Sequence, residues 1–125
     1  MNKSTAFKNE ISRVFKTMCN NVYHIQAPDK ELFPYIVYES REMGHSDGKT
    51  TMQLEVNVVD YGKNTLVVDD LSDLIQDTFH KYYFINPFIE FVVYKGIRHP
   101  VLEEDKQILR RRMLFEVHLH ELKGE

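Results

Sequence analysis

Met52-Gln53-Leu54-Glu55-Val56-Asn57-Val58 alternates apolar and polar residues without a break. In an extended chain successive side chains point to opposite faces, so this segment is apolar on one face and wet on the other. That pattern marks a strand of an antiparallel sheet covered on one side only. A second segment repeats it: Met113, Phe115, Val117 and Leu119 alternate with Arg112, Leu114, Glu116, His118 and His120. Two half-buried strands need a cover, and the flanking sequence supplies one.

The cover reads as two helices. Phe7, Ile11, Val14, Phe15 and Met18 form one apolar stripe at helical spacing. Ser4 or Thr5 is placed to cap its start, Asn20-Asn21 to stop it, and Lys8, Glu10, Ser12 and Arg13 to cover its wet face. Val67, Leu71, Leu74, Ile75, Thr78, Phe79 and Tyr82 form a second stripe, which predicts a helix from Thr65 to Tyr83 capped by Asn64 or Thr65. Asp69, Asp70 and Asp73 near its start suit the positive end of the helix dipole.

The remaining segments are strands and connections. Val22 to Gln26 predicts a short strand and Ala27-Pro28-Asp29-Lys30 a turn. Leu32 to Glu39 predicts a strand with Pro34 at its start, since proline cannot donate to a ladder. Phe88 to Lys95 predicts another. Gly44 to Thr50 and Gly96 to Gln107 read as connections too long for tight turns, and Lys123-Gly124-Glu125 as a frayed tail. The resulting expectation is an α+β fold. It has one domain over residues 1–125, with two helices packed on one face of a mostly antiparallel sheet of four to five strands.

Composition bounds the function classes. With 125 residues, 42% of them hydrophobic and 28% charged, the chain suits one globular domain. A formal net charge of −3 gives no sign of bulk affinity for nucleic acid. The single cysteine, Cys19, excludes an internal disulfide framework and suits a reducing compartment. No apolar run follows the first residues, so no signal peptide is expected, and no stretch approaches the roughly 20 residues that span a bilayer.

Catalytic patterns are sparse. His118 and His120 share one strand face and would begin a zinc site, but no further ligand stands at a matching spacing. Cys19 carries no nucleophile signature, and Ser46 between His45 and Asp47 is a triad only on paper, because adjacent loop residues do not converge. Five isolated glycines make no phosphate cradle. Arg110-Arg111-Arg112, with Arg98 and Lys106 upstream, is the densest positive cluster. It lacks interleaved aromatic platforms for nucleic acid and reads as a charged edge or interface.

A wider pattern carries more. It begins with Leu32-Phe33-Pro34-Tyr35-Ile36-Val37-Tyr38-Glu39, followed by an alternating strand ending in Val58-Val59-Asp60-Tyr61, a Gly/Asn turn and a helix from Leu66 to Phe79. Val101 to Val117 completes it. Together these resemble the tail terminator or tail-completion proteins of tailed bacteriophages, the group of the lambda-like minor tail terminator and its relatives in phages of Gram-positive hosts. The resemblance implies a non-enzymatic ring, usually a hexamer, with no cofactor and no metal. Such a ring sits on the last disc of the tail tube, ends its polymerisation and offers a surface to the head-tail connector protein. Its partners would be copies of itself, the tail tube protein, the connector and, where the tail is contractile, the sheath protein. Genome DNA would pass through the lumen without sequence-specific binding, and no membrane is involved. The protein would reside in the tail-neck region of the virion after assembly in the bacterial cytoplasm. Long connections are the expected contact elements. The candidate interface residues are therefore Gly44, His45, Asp47, Lys49, Arg98, His99, Glu103, Glu104, Arg110 and Arg112.

Overall fold

The computed structural model describes residues 2–29 and 32–122. Lys30 of the expected turn and the expected frayed tail, Lys123 to Glu125, lie outside them. Helix α1 spans Lys3–Met18, followed by strands β1 (Val22–His24), β2 (Tyr35–Ser46) and β3 (Lys49–Tyr61). Helix α2 spans Leu66–Phe79 and leads into β4 (Tyr82–Ile85), β5 (Ile89–Val101) and β6 (Ile108–Glu121). The strands form one sheet in the order β1-β2-β3-β6-β5-β4. The short β1 runs parallel to β2, and every other pair is antiparallel.

The α+β class holds, but the sheet has six strands rather than four to five, and one pairing is parallel. The additional strand is β4. The second helix stops at Phe79, not Tyr83, and Lys81 turns the chain with a positive φ of 61°. Tyr82 lies three residues after Phe79 and so mimics a helical stripe. Tyr82-Tyr83-Phe84-Ile85 is nonetheless an aromatic and β-branched run, which gains more by pairing with β5. At the first helix the cap is Asn2 rather than Ser4 or Thr5: its side chain accepts from the Thr5 N–H at 2.8 Å.

Neither long connection is what the sequence suggested. Asp47 and Gly48 have φ of 52° and 76° and close a two-residue hairpin turn, a geometry that demands positive φ at both positions. Gly44 to Thr50 is thus mostly strand. A β-bulge between Glu42 and Gly44 breaks the alternation that would have revealed this. Likewise β5 runs on to Val101 through a second bulge between Lys95 and Arg98, leaving only residues 102–107 as connection.

Met52, Leu54, Val56 and Val58 face the helices, as do Met113, Phe115, Val117 and Leu119 across the β3–β6 ladder. Phe7 packs edge-on against Phe91 at a ring distance of 5.0 Å, and Phe15 lies tilted against Phe79 at 5.2 Å. One expected wet-face residue belongs to this layer. Glu10 is buried, held by Arg13 and by the Tyr82 hydroxyl. Among the described residues, the opposite sheet face carries no helix.

The second bulge depends on glycine for space. A methyl group added at Gly96 would lie 2.5 Å from the Leu114 carbonyl oxygen, whereas one added at Gly44 meets nothing within 4 Å. Gly96→Ala should therefore cost about 1–3 kcal/mol as strand β6 is pushed away. Gly44→Ala should be near neutral by the same thermal denaturation, and equal melting temperatures for the two variants would contradict this account.

Candidate functional site

The two ends of the sheet hold the candidate residues. Gly44, His45, Asp47 and Lys49 sit at the β2–β3 hairpin tip, where Lys49 lies opposite Ser46 on one side and His120 on the other. The His45 Nδ1 is 3.1 Å from the Thr50 Oγ1, so His45, Ser46 and Asp47 form no triad. Arg98, His99, Glu103, Glu104, Arg110 and Arg112 gather at the opposite end, near Asn57 and Val59 of β3. Lys49 and Val59 are separated by about 33 Å of extended strand at ~3.3 Å per residue. The ten residues therefore make two separate groups rather than one site.

Electrostatics divide the second group further. Arg110 and Arg112 project from the open face and Arg111 from the helix face, as strand alternation requires. Arg110 donates to Glu103 at 2.7 Å, while Arg112 lies 3.8 Å from Glu55 and 3.4 Å from the Asn57 side-chain oxygen. His99 approaches the Pro100 carbonyl oxygen at 3.2 Å, and Glu104 is exposed. Arg98 turns to the helix layer, where it meets Asp69 at 3.2 Å and Asp73 at 2.5 Å. Arg111 joins it on Asp69 at 3.0 Å. Burial acts to raise the Asp69 pKa, but hydrogen bonds from Arg111, Thr65 and Arg98 outweigh it and hold the carboxyl below its ordinary value. These α2 aspartates thus tie the helix to the sheet, a role beyond the helix dipole.

The histidine pair stands on the open face as expected. His118 Nε2 is 2.7 Å from a Glu116 oxygen, with its ring edge-on to Tyr94. His120 lies opposite Lys49 and Glu90. Among the described residues no group of three or more His, Cys, Asp or Glu side chains is arranged to hold a metal ion. Cys19 is buried, its sulfur 3.4 and 3.5 Å from the Pro34 and Asn21 carbonyl oxygens. No helix among the described residues is long and apolar enough to cross a membrane.

The sequence reading missed an exposed apolar band on the open face. Tyr83 and Ile85 of β4, Tyr94 and Ile97 of β5 and Met43 of the β2 bulge are all exposed, Ile97 at 62% and Met43 at 58%. Met43 and Ile97 flank Leu114 across a shallow groove of about 370 Å³. The only sequence signal for this band is a lone glycine inside each strand-like run, Gly44 and Gly96, which is how a bulge announces itself. Comparison with protein-family models gives no match, and neither does comparison with curated proteins.

Proposed function

We propose that this chain is a structural virion protein of a tailed bacteriophage, a tail terminator. In this reading its copies form a ring, a hexamer in the related proteins, on the end of the tail tube. The ring stops polymerisation and joins the tail to the head connector, with the sheath as a further neighbour in a contractile particle. It is not an enzyme and needs no cofactor, and DNA passes through its lumen without sequence-specific contact.

The observation that supports this best is the exposed apolar side chains on a sheet face that no helix among the described residues covers. Large apolar side chains left exposed on one sheet face, interspersed with polar ones, suit a protein contact. The ionic network points the same way. Arg110 and Arg112, the cations that a nucleic-acid reading would need, face Glu103 and Glu55 instead.

Deleting the reading frame from the phage or prophage that carries it, and imaging the particles by electron microscopy, tests the reading. Tails of uncontrolled length detached from filled heads are the expected result. Tails of normal length beside unattached heads would reassign the protein to another connector position. Complete, normal particles would overturn both.

A further inference from the structure

The sheet has two lateral edges, and each is only partly protected. At one edge β1 pairs with Ile36 to Tyr38 of β2 and then turns away at Ile25, whose φ is 72°. The rest of β2, Glu39 to Ser46, has no outer neighbour among the described strands. At the other edge β4 covers Glu90 to Val93 of β5.

The backbone directions follow from the hydrogen bonds. The Ile36 N–H donates to the Asn21 carbonyl, and the Tyr38 carbonyl accepts from the Ile25 N–H. Even-numbered β2 residues therefore turn their main-chain groups toward the outer edge, and by alternation so do Ser40 and Glu42. In the β4–β5 hairpin the Asn86 N–H donates to the Ile89 carbonyl. By the same alternation Tyr83 and Ile85 turn theirs outward, away from β5.

The uncovered half of β5 is different. The ring Nδ1 of His80 lies 3.4 Å from the outward Lys95 nitrogen, Pro100 has no N–H to offer, and the bulge at Gly96 breaks the run. These are the usual devices that close an edge to strand addition. β2 has a bulge of its own, but it begins only after Glu42. Among the described strands longer than the three-residue β1, the edges left open are Glu39 to Glu42 of β2 and the whole of β4.

Those two edges fit one another. Four successive antiparallel pairings, β2–β3, β3–β6, β6–β5 and β5–β4, make β4 run parallel to β2. In a parallel pair, Glu42 would bond to Tyr83 and Ile85 of a neighbouring copy, with Phe84 opposite it. Glu42 and Phe84 both lie on the helix face, and Arg41, Tyr83 and Ile85 all lie on the open face. An antiparallel junction would instead oppose helix-face to open-face residues and reverse the neighbour. Polarity and face thus agree only when copies are related by rotation, each in the same orientation. The slot is also vacant in shape. A cleft of about 280 Å³ lies beside it, lined by Lys8 of α1, His24 and Glu42.

We infer that β4 of one copy adds as a strand to the open edge of β2 in the next, end-on to β1 and parallel to it, so that the copies share one continuous sheet. The contact joins two different surfaces, which is the heterologous geometry that closes into a ring. The exposed Tyr83 and Ile85 of one copy then meet Arg41 and Met43 of the next on the open face. This inference rests on the ring reading above and names the surface that would make the ring.

The test uses the full-length chain with Cys19→Ala as background. Arg41→Cys and Tyr83→Cys are added singly and together, and concentrated protein is treated with a short bis-maleimide. These positions lie on opposite edges of one molecule. The double variant should give a ladder of covalent oligomers, and each single variant nothing beyond trace dimer. Ser40→Pro replaces an outward N–H that no internal bond uses with a ring carbon in the path of the incoming strand, and adding it should abolish the ladder while leaving the circular dichroism spectrum unchanged. Rings visible by electron microscopy without a ladder would overturn the strand junction and leave the ring standing. Neither rings nor a ladder would overturn the junction too, and the particle phenotype of the deletion would then decide the ring reading separately.

Discussion

Replacing Phe79 by alanine should lower the melting temperature by roughly 10–20 °C, reflecting a loss of about 3–5 kcal/mol. Phe79 is the last residue of α2 and is completely buried. Its ring lies 5.2 Å from that of Phe15, 5.4 Å from Tyr82 and 5.9 Å from Phe115. It is therefore the point where both helices, the edge strand β4 and the central strand β6 meet. Truncation leaves a cavity walled by three rings on three separate elements. Such a cavity cannot close by moving one side chain, so the cost falls at the high end for a core substitution. That is a large share of the roughly 5–15 kcal/mol that holds an ordinary domain together. Leu74, on the same helix but half exposed, provides the contrast. Leu74→Ala should change stability by less than about 1 kcal/mol. Comparable losses for the two variants by calorimetry would remove Phe79 from the centre of the core.

The same junction explains which parts of the fold could be read from the sequence. β3 and β6 were legible because each is covered on one face only, and a one-sided strand writes its burial as strict alternation. The stripe of α1 was legible for the matching reason at helical period. β4 was not, because Tyr82 satisfies two patterns at once: it continues the α2 stripe in sequence and packs on Phe79 in space. The turn at Lys81 depends on a positive φ that a lysine does not advertise. The bulges hid the lengths of β2 and β5, since one extra residue shifts every later side chain to the other face. The candidate interface residues stand out in sequence by charge and by position in apparent loops, and the fold sorts them by face. Arg98 looked like a free cation in a connection, yet it sits on the helix side of a strand among the α2 aspartates. The apolar band was illegible for a deeper reason. Tyr83, Ile85 and Tyr94 resemble core residues in sequence, and they are exposed because both described helices lie on the other side of the sheet.

Glu10 yields the second large effect, a stability that depends on acid. Its carboxylate is buried and bidentate, with Arg13 Nε and Nη2 each 2.8 Å from one oxygen, and the Tyr82 hydroxyl donates to it from β4. The hydrogen bonds from Arg13, assisted by Tyr82, hold the Glu10 pKa below its ordinary value against the opposing effect of burial. The Tyr82 hydroxyl, desolvated and bonded to a carboxylate, is correspondingly pushed up to about 12. A carboxyl whose folded pKa is depressed stabilises the fold fully above its unfolded value, about 4.3 for glutamate. That contribution is lost as pH falls through the lower folded value. Urea denaturation of the native chain should therefore show declining stability below about pH 4.3, and Glu10→Gln should flatten part of that decline. At neutral pH, Glu10→Ala should cost about 2–3 kcal/mol, at or below the lower end for breaking a buried pair, because most of the Arg13 side chain stays in water. Tyr82→Phe should cost about 1 kcal/mol, the worth of one hydrogen bond. If Glu10→Gln left the acid limb unchanged, the carboxylate would not be the group responsible. The location gives this pair a consequence beyond stability. Tyr82 opens β4, the strand inferred to enter the next copy, and Glu10 is the side chain that pins it to α1. A chain lacking that bond should lose the β2–β4 cross-link before it loses its fold, because an edge strand held by four residues is the first element to detach.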